Sequence, residues 1–408
     1  MRLSSNGTGK DTNHLKGLAS YVHHLELTRW RAWDRDSDEF DSGTNTTWVY
    51  DDNRKYSATQ NSRDKKLFQK AFRDLTLTDK KTWRESVRKD VDEVYVSLLI
   101  LLTPNLKSLM VHAPTNPIFL DKALDHATFV QSPNSSTPSL QRIEDVSYFC
   151  RGNVSFISIS HLHALFRLPA VRKLSIGWVT SDSPFPPLAP LHSLRNLHFH
   201  EADLNTAIFD SIFRACPNLE SFAYQHHPFS RHRLTVISNH FHLPQLGAAL
   251  THVSSSLHEL EVSSCDEPST FGTLGSLKNF TCLRRLKMRL HHLVADVSAS
   301  AVESKPRLID ILPSSLEELD TELVGLKIPR WKEMLGQVRE LVDAKQRGEM
   351  SRLWKLGNWS SFTAEQMGVQ RCAALETLMD SCRTWGIIFQ VWGRMGDEWC
   401  YRDFREMM

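Results

Sequence analysis

The feature that most constrains this chain is a short apolar spacing that returns along most of its length. An apolar residue is followed by two variable positions, a second apolar residue, one variable position and a third apolar residue. It occurs as Leu106/Leu109/Val111 (NLKSLMV), Val171/Leu174/Ile176 (VRKLSI), Leu194/Leu197/Phe199 (LRNLHF) and Leu219/Phe222/Tyr224 (LESFAY). It continues as Leu257/Leu260/Val262 (LHELEV), Leu283/Leu286/Met288 (LRRLKM) and Leu316/Leu319 (SLEELDT). Val22/Leu25/Leu27 reads as an opening copy, and Arg352–Trp359 and Ile387–Trp392 as weaker closing copies.

The last two apolar positions are separated by one residue, so they share a face of a short strand. The first enters from the preceding turn and packs beneath them. One such unit cannot bury its apolar side alone, so copies must stack and share a core. Starts at Val171, Leu194, Leu219, Leu257, Leu283 and Leu316 lie 23, 25, 38, 26 and 33 residues apart. The shorter intervals match leucine-rich repeats of roughly 20–29 residues, and the longer ones leave room for insertions. The expected fold is therefore α/β: an irregular leucine-rich-repeat solenoid of short parallel strands alternating with helices, in an arc or horseshoe. The competing reading is an ordinary α/β domain in which these runs are unrelated parallel strands.

Helix-compatible segments lie between the strands. In Asp203–Cys216, Leu204, Ile208, Ile212 and Phe213 form one stripe, with Asp203 as N-cap and Pro217 as the stop. Thr82 to Leu102 reads as one long helix, with Thr82 and Glu85 at capping-box spacing, and a shorter helix around Leu67, Phe68, Phe72 and Leu75 precedes it. Trp331, Leu335, Val338 and Leu341 mark another helix, and a further one runs near Ala364 to Cys382, ending before Gly386. The expected organisation is a flexible tail over 1–17 and a solenoid over 18–392 carrying a polar insertion at 34–62 and a helical cap at 331–386. A C-terminal tail over 393–408 completes it.

Composition excludes little but is consistent. Lysine and arginine total 49 against 47 acidic residues, so no global field gathers nucleic acid or anionic membrane. Seven scattered cysteines do not read as a disulfide framework. Met1 is followed by a polar stretch, and the longest apolar run, near Val94 to Leu102, falls short of the roughly 20 residues of a membrane helix. An intracellular home, cytoplasmic or nuclear, is expected. The sequons at Asn6, Asn45, Asn134, Asn153, Asn279 and Asn358 then have no acceptor role.

VHHLEL near the start, SLLILLTPNLKSLMV, CPNLESFAY, LPSSLEELDT and the closing SCRTWGIIFQV occur in an order that resembles the leucine-rich-repeat portion of fungal F-box proteins. The resemblance runs from about Ala19 to Trp392. It implies a repeat region that recruits a protein for ubiquitination, in a subunit that holds the adaptor of a cullin-RING ubiquitin ligase through an N-terminal F-box. The chain departs from that pattern in one respect. The F-box, opening with a Leu-Pro-x-Glu-like motif, is not found, and residues 1–20 are too short and polar to supply it. The adaptor is thus expected as a partner only if an F-box is supplied upstream. A stand-alone repeat scaffold is the alternative.

Motifs of catalysis are weak. Gly7-Thr8-Gly9-Lys10 lacks the first glycine and the Ser/Thr of a phosphate loop. Asp34, Asp36 and Asp38 alternate as in a calcium loop, but Glu39 and Asn45 stand where glycine and the bidentate glutamate belong. His226, His227, His232, His240 and His242 crowd one insertion, and His198 and His200 share a strand face. Imidazole pairs suit zinc or copper, yet no carboxylate or cysteine falls at ligand spacing. No nucleophile elbow, G-x-G-x-x-G loop or His-Glu-x-x-His motif is present. No catalytic residue, metal or cofactor is therefore expected, with an enzyme hidden in the insertions as the alternative.

The working surface is expected at the variable positions of the repeat strands: His198 and His200, Glu259 and Glu261, Arg285, Lys287 and Arg289, then Glu318 and Asp320. Charges alternating between strands could set the register of a protein partner, although any solvated strand face must be polar. Arg284 to Arg289 with His291 and His292 is the best basic patch, but it lacks an aromatic platform for bases.

Overall fold

The computed structural model describes residues 21–27, 79–89, 91–113, 117–129, 140–150, 156–181, 185–227, 241–264, 272–294, 306–321, 328–360, 369–395 and 398–402. The chain divides into two compact units, Met1–Trp178 with Asp182–Pro186, and Val179–Ser181 with Pro187–Met408.

In the first unit the expected copies become β1 (His24–Leu27), β2 (Ser108–Ala113) and β5 (Lys173–Gly177), and between them lie two strands that the sequence reading did not single out, β3 (Asp145–Cys150) and the two-residue β4 (Ile157–Ser158). β1, β2, β3 and β5 pair in that order, all parallel. Register follows the apolar spacing: Leu25, Leu109, Val146 and Leu174 align, as do Leu27, Val111, Tyr148 and Ile176. Helices α1 (Lys80–Arg88), α2 (Asp92–Leu101), α3 (Ile118–Phe129) and the short α4 (His163–Phe166) fill the intervals.

The second unit holds β6 (Val179–Thr180) and then β7 (Asn196–Ala202), β8 (Ser221–His226), β9 (Glu259–Ser264), β10 (Arg285–Met288), β11 (Glu318–Thr321), β12 (Lys355–Ser360) and β13 (Ile388–Met395). From β7 to β13 each strand pairs parallel with the next, and β14 (Glu398–Arg402) closes antiparallel on β13. Leu197, Phe222, Leu260, Leu286, Leu319, Leu356 and Phe389 align across these strands. The intervening helices are α5 (Ala207–Ala215), α6 (Leu243–Leu250), α7 (Leu308–Ile311), α8 (Ile328–Gln346) and α9 (Val369–Thr384). α5 turns Phe209 and Phe213 onto Phe222, with ring centroids 5.6 and 4.9 Å away. Edge-to-face contacts of this kind add to simple burial.

The copies are equivalent down to the backbone. In the first unit the carbonyl of His23 accepts from both Lys107 and Ser108, and that of Lys107 from Glu144 and Asp145. In the second, Arg195, Glu220, His258, Arg284 and Glu317 each accept from the two residues that open the next strand. The same variable position thus starts the pairing in each of these repeats.

Several expectations from sequence are revised. The long helix over Thr82–Leu102 is two helices, because Val91 is extended between them. α1 buries only Trp83 and Val87, whereas α2 is buried on nearly every side. One straight rod cannot satisfy both patterns. Asp203 does not cap α5: its N–H donates to Val179 and its carbonyl accepts from Ser181, and the helix begins after Thr206. Within the 331–386 segment the expected closing copy at Arg352–Trp359 is β12, whose Leu356 sits in the same aligned row as Leu319 and Phe389. The expected tail over 393–408 begins inside β13, which pairs with β14 as far as Arg402. α9 ends at Thr384, before Gly386 as expected, and the φ of 67° at Gly386 is the left-handed conformation that ends helices. The 1–17 and 34–62 segments, the helix near Leu67, the Gly7–Lys10 and Asp34–Asp38 motifs, and His232 and His240 lie outside the described residues.

Candidate protein-interaction surface

Alternation along each strand leaves two variable positions on the face opposite the core. Because the second-unit strands are parallel and in register, these positions form two rows. The first runs Asn196, Ser221, Glu259, Arg285, Glu318, Lys355, Ile388. The second runs His198, Ala223, Glu261, Lys287, Asp320, Gly357, Gln390. Seven of the nine residues singled out from sequence fall in these rows.

The charges are spent largely on one another. Arg285 pairs with Glu259, and Lys287 Nζ lies 2.7 Å from Glu261. Lys355 Nζ lies 3.0 Å from Glu318 and 3.9 Å from Asp320. Ser221 joins the first row to its neighbours: its Oγ is 3.4 Å from Glu259 Oε2 and 3.4 Å from His198 Nε2. The pairs of Arg285 and Lys287 are half exposed, where such contacts are worth about 0–1 kcal/mol. The Lys355 group is more enclosed, with side chains only 17–25% exposed. Burial pushes the Asp320 carboxyl above its ordinary range, against the pull of Lys355.

His200 and Arg289 stand apart from the rows. The β7–β8 register shifts between Phe199 and Ala202, so alignment ends before His200, whose ring lies 6.2 Å from that of His198. Arg289 follows the end of β10 and caps the short 3-10 turn Leu290–His292. That turn carries His291 and His292 inward, so both are buried rather than part of a surface patch. With Arg285 and Lys287 facing carboxylates, the 284–292 stretch is not an open cationic strip.

The histidine-rich insertion also reads differently in three dimensions. His226 is the last residue of β8 and fully buried, stacked on Phe241 at 4.8 Å. Its Nδ1 lies 3.1 Å from the Tyr224 hydroxyl, which donates to the Ala202 carbonyl and accepts from the Leu204 N–H. Tyr224 has one proton to give, so the network needs a proton on His226 Nδ1, and burial favours the ring that carries no second one. Burial accordingly pushes His226 down to about 4. Among the described residues no group of three or more His, Cys, Asp or Glu side chains is placed to hold a metal ion. Cys150, Cys216 and Cys382 are buried free thiols pushed up to about 11, 12 and 12, the opposite of an activated nucleophile.

A second polar cluster, in the first unit, was not anticipated. Glu93 on α2 caps α3: its Oε1 accepts from the N–H groups of Phe119 and Leu120 at 2.5 and 2.9 Å. Asp121, in the same helix turn, is pushed up to about 8 by burial and by the nearby charges of Glu93 and Asp125. Its Oδ2 lies 3.5 Å from His161 Nδ1. Tyr148 is buried beside these carboxylates, which together with burial hold its hydroxyl in the protonated form.

A parallel-strand repeat protein with one polar strand face is the class these observations define. The leucine-rich repeat domain model matches residues 49–353, well over half of the chain, and the chain belongs to that family. No curated protein matches it. Family and fold together support a protein–protein interaction module. No helix among the described residues is long and apolar enough to cross a membrane.

Proposed function

We propose that this chain is a non-enzymatic module that binds a protein partner through the two rows of variable side chains on β7–β13, with Glu259, Glu261, Arg285, Lys287, Glu318 and Asp320 setting the partner's register. The observation that carries this reading is the alignment itself: alternating charges from separate repeats lie on one strand face, across adjacent parallel strands. A partner strand or helix laid along the rows meets each sign at a fixed spacing, which favours specificity over raw affinity. On its resemblance to fungal F-box proteins, the module acts inside the cell as the substrate-recruiting arm of a cullin-RING ubiquitin ligase.

Affinity purification from the native cell extract, followed by mass spectrometry, tests this reading. Ligase subunits recovered with a further specific protein support it. A reproducible partner without ligase subunits leaves a stand-alone scaffold. Arg285→Gln/Lys287→Gln should lose the partner while staying folded. Neutralisation is the cleaner variant, because reversal to glutamate would set each new carboxylate between two others, Glu259 and Glu318 or Glu261 and Asp320. Capture undiminished in the neutralised variant would remove the rows from the binding site.

A further inference from the structure

Pro186, Pro187 and Pro190 stand close together in the segment that leads into β7. A proline ring fixes φ near about −65° and holds the residue before it extended, which here restrains Phe185, Pro186 and Ala189. From Phe185 to Pro190 only Leu188 escapes both restraints. Chain restricted in this way adopts polyproline II, a left-handed helix of about three residues per turn with no internal hydrogen bonds.

Burial in the second unit follows that period. Leu188 and Leu191 are half-buried, whereas Pro187 and Pro190, also three apart, are exposed, with Ala189 exposed between them. One ridge of the helix therefore rests on the protein and the proline ridge stays open. Among the described residues the backbone of 187–190 forms no hydrogen bond. Just beyond it the chain is tied down: the Leu191 N–H donates to the Ala215 carbonyl at 2.6 Å, and Asn218 Nδ2 donates to the His192 carbonyl at 3.1 Å. A ligand held extended in advance loses little entropy when it binds. No residue from Phe185 to Leu191 is charged, so the open ridge offers shape and apolar contact.

We propose that Pro187–Pro190 is a docking peptide built into the fold, and that its partner is an SH3-type domain, whose aromatic-lined groove reads a Pro-x-x-Pro ridge. The site makes no use of the charged rows on β7–β13 and goes beyond the reading above. The test places the full chain on an array of purified SH3 domains, with WW and EVH1 domains beside them, and titrates each domain that binds. At least one SH3 domain should bind. Pro187→Ala/Pro190→Ala should weaken it about ten-fold or more, with the thermal midpoint lowered only slightly because both rings are exposed. Ala189→Glu keeps both prolines but sets a carboxylate against the aromatic groove. It should weaken binding likewise, and it serves if the double variant does not fold.

No SH3 domain bound, WW or EVH1 domains alone bound, or SH3 binding unchanged in the folded double variant, overturns the proposal. SH3 binding lost with Arg285→Gln/Lys287→Gln does so too, since the groove would then lie on the rows. If the partner from extract is lost with that neutralised variant while no SH3 domain binds, the reading of the rows stands and only the docking peptide falls.

Discussion

Gly357 and Asp320 face each other across β12 and β11, and a Cβ on Gly357 would overlap the Asp320 carboxylate. The absent side chain is what lets Asp320 lie along the sheet near Lys355. Gly357→Ala should therefore cost about 1–3 kcal/mol, as overpacked sites do. Asp320→Ala keeps only a Cβ at ordinary contact distance, so the penalty should largely vanish in the double variant. Denaturant midpoints of the wild type, both single variants and the double variant check this. An additive pair would show that the carboxylate yields freely.

Asp121 should make stability fall as pH rises. Its folded value of about 8 exceeds the ordinary 3.8, so between these values the folded chain binds more protons than the unfolded one. Stability from this residue is full below 3.8 and lost as pH climbs through 8. Asp121→Asn keeps the shape and removes the titration. It should change the midpoint little at pH 4 and raise it clearly at pH 8.5, because each tenfold difference in proton affinity between the two states is worth about 1.4 kcal/mol. His161, Glu93, Asp125 and Tyr148 face the same carboxylate, so each pH is compared between variant and wild type. Thermal melts from pH 4 to 9 read the crossover, and parallel curves would refute it.

His226 should act with the opposite slope. Its folded value of about 4 lies below the ordinary 6.5, so acid favours the unfolded chain across that window. Its contribution is complete above 6.5 and lost as pH falls toward 4. His226→Phe keeps the stack on Phe241, and Tyr224 keeps its bond to Ala202. The variant should be near wild type at pH 7.5 and relatively more stable at pH 5. Asp203 and His227 lie close enough to modulate the slope, but not to reverse it. Melts at pH 5 and 7.5 suffice.

The repeat spacing made the sheet legible because an apolar residue at every second strand position leaves one buried face. Leu260 and Val262, with Glu259 and Glu261 between them, illustrate this. The same period-two rule could have found His226, which follows Phe222 and Tyr224 on the core side of β8. Lys355 escaped because its repeat, RLWKLGNW, reads as aromatic rather than charged, although its register partner is Glu318. Glu93 and Asp121 were invisible for a different reason. A carboxylate in a helical segment reads as solvent-facing, and only the docking of α2 on α3 puts Glu93 on the backbone N–H groups of Phe119 and Leu120. His291 and His292 turn inward through a tight 3-10 turn, which has no apolar period of its own.

Lys355 is the cation whose loss should matter most for stability in the binding rows. Unlike Arg285 and Lys287 it is largely enclosed, and two carboxylates depend on it. Removing one partner from an enclosed ionic group leaves the others unneutralised, which costs more than the group contributes when intact. Lys355→Met keeps the length of the side chain and should destabilise the chain by about 1–3 kcal/mol at pH 7. Without the cation, Asp320 loses the pull that opposes burial, and its carboxyl rises further. The deficit should therefore shrink as pH falls through the carboxylate range and Asp320 takes up a proton. Lys355→Met/Asp320→Asn should recover much of the loss at pH 7, because a single carboxylate then remains. Thermal midpoints of the three proteins at pH 4.5 and 7 distinguish this from simple loss of packing, which would be the same at both pH values and untouched by Asp320→Asn.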